Sequence, residues 1–129
     1  MSAQEIIKRI LIIDDDPVVV KLTETRLKAH GYQVMTTCEA PDGLEKAIKQ
    51  KPDLIILDVM MPIVNGYNFC RLLKSHHEHK GPPVILLTSR TTEQDRKIGE
   101  EVGANAYLTK PVDMELLLTT IKDLMGQQV

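Results

Sequence analysis

The chain has 129 residues and a mass of 14.5 kDa, room for one domain of ordinary size and not for two. Sixteen basic against eighteen acidic residues leave a formal charge of −2 and a pI near 6.1, which excludes a broad basic surface for a nucleic-acid backbone. No apolar run approaches the roughly 20 residues that cross a bilayer, the first residues lack a secretory pattern, and Cys38 and Cys70 stand on unrelated segments, so neither a disulfide framework nor a thiolate metal site is indicated. The expectation is a reduced, cytosolic, single-domain protein.

In chain order, Ile10-Leu11-Ile12-Ile13 predicts the first strand. Pro17 then opens a helix with Asp16 as its cap, and Val18, Leu22 and the Thr25 to Ala29 turn follow at helical spacing. Gln33 to Thr37 is more polar and predicts an edge strand. Leu44, Ala47 and Ile48 mark a second helix, stopped before Lys51-Pro52, and Leu54-Ile55-Ile56-Leu57 a third strand. The third helix carries Gly66, Phe69, Cys70 and Leu73, entered through Asn65 and closed around Gly81-Pro82-Pro83. Val84-Ile85-Leu86-Leu87 follows as a strand, then a helix from about Thr92 to Val102 ending at Gly103, a suitable C-terminal cap. Ala104 to Leu108 is a weaker strand, and the last helix places Leu117, Ile121 and Leu124 on one stripe behind Asp113 as cap. Continuous apolar runs suit strands covered on both faces. Strand and helix alternate five times, which predicts one α/β domain with an open parallel sheet wrapped by helices on both sides.

In such sheets ligands bind beyond the carboxyl ends of the strands. There the first strand is followed by Asp14, Asp15 and Asp16, the third by Asp58, the fourth by Thr88 and Ser89, and the fifth by Thr109-Lys110-Pro111. Alone, each group has a simpler reading as a helix cap, a locally bonded hydroxyl or a loop charge. Their convergence on one end of one sheet argues for a site. Asp14, Asp15 and Asp58 crowded together repel unless protonated or joined by a cation. A hard divalent ion suits oxygen ligands, and Mg²⁺ accepts a few carboxylates plus water and phosphate, whereas zinc lacks its usual ligands. Metal, lysine and hydroxyl together suit phosphoryl transfer, with a carboxylate as a possible nucleophile.

The acidic pair after the first strand, Asp58-Val59-Met60-Met61-Pro62 followed by Gly66, Thr88-Ser89, and Lys110-Pro111 together resemble the receiver domain of bacterial two-component response regulators, in particular its chemotaxis type. The resemblance runs from about Lys8 to Leu124, so residues 1–129 are expected to form a single receiver with its core at about 8–125. It implies a flavodoxin-like doubly wound sheet of five parallel strands in the order 2-1-3-4-5 with five helices. It further implies Asp58 as phosphoacceptor, Mg²⁺ held by Asp14, Asp15, Asp58 and the Met60 carbonyl, and Thr88 and Lys110 contacting phosphoryl oxygens. Tyr107 matches the family's switch aromatic, coupled to Thr88, and the Lys110–Pro111 bond is expected to be cis. The implied activity is that of a signalling switch, catalysing only its own phosphorylation and dephosphorylation. Its partners would be a histidine kinase or phosphotransfer protein and a downstream protein target or fused output domain. Direct nucleic-acid or membrane contact is not expected; a phosphorylation-dependent dimer is compatible with the family.

Other readings fare less well. A Mg²⁺-dependent phosphatase of the haloacid-dehalogenase type has its nucleophile after the first strand in an Asp-x-Asp pattern, but here Asp14-Asp15-Asp16-Pro17 stands there. Flavin phosphate would meet three aspartates and be repelled. A phosphorylation-independent docking receiver does not need the intact Asp58, Thr88 and Lys110. Ser75-His76-His77-Glu78-His79 reads as a solvated helix end. On the last helix, Met114, Leu118 and Met125 flank the core stripe, and Met114 and Leu118 are expected to be partly exposed and to join Tyr107 in a protein contact.

Overall fold

In the computed structural model, residues 8–59, 66–75, 81–89 and 93–126 are described. Each predicted apolar run forms a strand: β1 (Arg9–Ile13), β2 (Gln33–Thr37), β3 (Leu54–Asp58), β4 (Val84–Thr88) and β5 (Ala106–Thr109). Between and after them come α1 (Pro17–Ala29), α2 (Ala40–Lys49), α3 (Gly66–Ser75), α4 (Glu93–Glu101) and α5 (Met114–Gly126). The strands pair in parallel in the order β2-β1-β3-β4-β5, so β2 is an edge as its polarity predicts. β3 and β4 are buried throughout, because the helices cover both faces.

Strand residues alternate between two apolar layers. Leu11, Ile13, Ile55, Leu57, Val84 and Leu86 point to one side and pack with α2, α3 and the Val102 turn. Ile10, Ile12, Leu54, Ile56, Ile85 and Leu87 point to the other and pack with α1 and α5. The caps follow the sequence signals. Asp16 accepts from the backbone N–H groups of Val18 and Val19, Asp113 from those of Glu115 and Leu116, and Gly103 closes α4 at φ +91°, a conformation that costs glycine little.

Two helical faces differ from expectation. On α1 the buried residues are Val20, Thr23 and Leu27, while Val18 and Leu22 are 64% and 62% exposed. The run Val18-Val19-Val20 has no phase of its own, so packing chooses its face. On α5 Leu118 is 8% exposed and part of the core, which corrects its expected surface position. That helix packs on both the sheet and α1, so Leu117 and Leu118 are both buried. Met114 is partly exposed. Met60 and the segment His76 to His79 lie outside the described residues.

Candidate functional site

Strand order reverses between β1 and β3, and the crevice at their carboxyl ends is where the first aspartates emerge. Asp14, 1% exposed, is fixed by its backbone N–H donating to the Thr37 carbonyl at 3.2 Å and by its Oδ1 accepting from the Asp16 N–H at 2.9 Å. Asp16 caps α1, so the three consecutive aspartates divide their labour. Asp15 is exposed at the rim, and Asp58 closes β3 at 3% exposure. Oxygens from Asp14, Asp15 and Asp58 all lie within 4.8 Å of one another.

Lys110 reaches in from beyond β5, with its own N–H donating to the Thr88 carbonyl at 2.7 Å. The Lys110–Pro111 bond is cis. Its Nζ stands 2.9 Å from Asp14 Oδ2 and 3.5 Å from Asp58 Oδ1. Burial works against the Lys110 charge, but the hydrogen bond and charge of Asp14, then those of Asp58, outweigh it and hold its pKa above the ordinary 10.5. The lysine is therefore a cation throughout the physiological range. Even so, three carboxylates at such distances in a half-buried crevice leave excess negative charge, and attraction is strongest where water is least. This all-oxygen donor set fits a hard divalent cation such as Mg²⁺. Thr88, fully buried, ends β4 in register with Thr109, so its hydroxyl belongs to the same end of the sheet. Sequence reasoning assembled these groups but assigned Lys110 only to phosphoryl oxygens. Its close pairing with Asp14 depends on loop geometry that spacing does not encode.

Tyr107 on β5 is half-buried and packs against the layer formed by α2 and α3. Its hydroxyl is 3.5 Å from that of Tyr67 on α3, a residue sequence reasoning missed, because one aromatic after a helix-opening glycine reads only as core. On the opposite side of the crevice, Val19, Leu22, Lys110, Val112 and Met114 are among the residues lining a mostly apolar groove of about 220 Å³.

The fold and this crevice define a receiver, and comparison with known proteins agrees. The family model of the response regulator receiver domain matches residues 10–122, and the chain belongs to that family. PilH of Pseudomonas aeruginosa is 40% identical over 118 residues, which are 92% of this chain and 98% of that protein. PleD of Caulobacter vibrioides is 40% identical over 116 residues, 90% of this chain but 26% of PleD, so the chain spans about a quarter of that relative. Among solved structures, the chemotaxis protein CheY4 of Vibrio cholerae has a TM-score of 0.87 at 31% identity, covering 92% of this chain and 99% of that one. The chain is thus a signalling domain of two-component systems, and no described helix is long and apolar enough to cross a membrane.

Proposed function

We propose that the domain accepts a phosphoryl group on Asp58 from a phosphohistidine donor in the cytoplasm, either a histidine kinase or a phosphotransfer protein. The observation that carries this reading is the buried Asp58 carboxylate facing Lys110 at 3.5 Å within the Asp14, Asp15 and Asp58 cluster. One Asp58 oxygen forms the new bond to phosphorus while the bond from phosphorus to the donor nitrogen breaks, its electron pair leaving with the donor. Lys110 exchanges its Asp14 contact for a phosphoryl oxygen and the Thr88 hydroxyl donates to another. Positioning and charge neutralisation supply most of the catalysis in such transfers. Mg²⁺ would be held by Asp14, Asp15 and Asp58, with the Met60 carbonyl as a further ligand, and would neutralise charge on the phosphoryl oxygens. Hydrolysis of the acyl phosphate resets the switch, so the domain catalyses only reactions of its own phosphate.

The donor seats on the apolar groove beside Lys110, since a body docked there stands next to the acceptor. Phosphorylation then changes the surface around Tyr107 for a downstream protein or an attached output domain. Residues 1–129 act in this as a single receiver. Incubation with acetyl phosphate should give one phosphate per chain with Mg²⁺ and none after chelation, and Asp58→Asn should abolish it. Stoichiometric phosphate on Asp58→Asn would overturn the assignment.

A further inference from the structure

The Tyr67 hydroxyl takes no part in the phosphoryl chemistry, yet it lies where three elements meet. Tyr67 is the second residue of α3 and 8% exposed, with its side chain in the same core layer as Phe69 and Val102. Its hydroxyl is 3.1 Å from the carbonyl oxygen of Asp95 in the first turn of α4 and 3.5 Å from the hydroxyl of Tyr107 on β5. A carbonyl only accepts, so Tyr67 donates to Asp95. A phenol carries one proton, so in the second contact Tyr107 donates to Tyr67. The two bonds form a directed chain, from Tyr107 through Tyr67 to the backbone of α4.

That direction makes one bond conditional on the other. Tyr107 meets a correctly oriented acceptor while the α4 turn holds the Tyr67 proton. α4 is the next helix in the chain after Thr88, and its first turn carries the Asp95 carbonyl to which Tyr67 donates. A phenylalanine would fill nearly the same core volume, so packing gives no reason for a hydroxyl here. We propose that Tyr67 is a positioning residue of the switch, whose hydroxyl reports the place of α4 to Tyr107. The proposal rests on the reading of Asp58 as phosphoacceptor. A ligand shifts such an equilibrium only through its own differential interaction with the two states; the phosphoryl group makes that interaction at the crevice, and the Tyr67 chain couples its outcome to Tyr107.

The test follows the tyrosine rings of the full chain by NMR with isotopically labelled tyrosine, in Mg²⁺ with and without beryllofluoride, a phosphoryl mimic. Tyr67→Phe should take label from acetyl phosphate within about twofold of the parent rate, because Asp58, Lys110 and the contacts between them stay in place. Its Tyr107 resonances should already be displaced before beryllofluoride is added, and the further change should fall to half the parent's or less. A change retained above half would overturn the relay and leave the receiver reading standing. A parent that neither takes label nor responds to beryllofluoride would overturn the receiver reading, and the relay with it. If Tyr67→Phe proves unstable, Tyr107→Phe removes the donor at the other end, and the beryllofluoride response of the Tyr67 ring is judged by the same threshold.

Discussion

At the site, the chemistry turns on how Asp14 and Asp58 tolerate burial. Both carboxylates are nearly inaccessible, and Lys110 pairs with each while remaining 21% exposed at its own side chain. Removing one member of a fully buried ion pair costs roughly 3–5 kcal/mol. Because Lys110 reaches solvent, Lys110→Met should cost less, about 1–3 kcal/mol without divalent ions. Mg²⁺ should restore more stability to this variant than it adds to the parent, since a ligand bound only by the folded state stabilises with the logarithm of its concentration over Kd and Lys110 no longer competes for Asp14. Urea titrations of both proteins with Mg²⁺ and with chelator measure this. An equal Mg²⁺ increment in the two would show that Lys110 and the ion do not share the carboxylates. The residues gathered at the crevice were legible because each follows an apolar run. The pairing was not, since Asp14 and Lys110 are 96 residues apart and meet only after the sheet forms.

Among the elements, local signals were read most reliably where they act locally. Asp16, Pro17, Asp113 and Gly103 mark their helix ends in the sequence and do so in the fold. The buried faces of α1 and α5 were less legible, because both helices border two neighbours and both carry more apolar residues than a single stripe. Gly43 shows a tertiary demand that no periodicity signals. A Cβ at this position on α2 would come 2.7 Å from Ile13 Cδ1, 3.0 Å from Cγ1 and 3.2 Å from Cγ2. Ile13 is wholly buried in β1 and β-branched, so it has few other rotamers to adopt. Alanine normally improves a helix by about 1 kcal/mol over glycine, but overpacking a core costs about 1–3 kcal/mol. Gly43→Ala should therefore be neutral to destabilising by about 2 kcal/mol. A chemical melt showing the usual helical gain would mean that α2 lifts off β1 without penalty.

Over the whole molecule, the crevice lies between two surfaces of different build. Toward α3 and α4, the Tyr67 chain ties the conformation of β5 to the helix after Thr88. Toward α1, the apolar groove lies beside Lys110, and Val18 and Leu22 stay exposed next to it. Exposed leucine is ordinary by itself, but Leu22 also lines the groove that holds Lys110 at its rim, and under the proposed function a phosphodonor comes close to Asp58. Leu22→Glu should leave stability within about 0.5 kcal/mol of the parent, as surface substitutions usually do. It should also leave labelling by acetyl phosphate unchanged, because a small donor needs no docking surface. Transfer from a phosphohistidine protein should slow by about tenfold, the equivalent of roughly 1.4 kcal/mol of lost contact, because charge replaces apolar area at the interface. Parallel time courses with the two donors separate the outcomes. Equal slowing with both would place the defect in the Asp58 chemistry, and no slowing with either would remove the groove from the path of the donor.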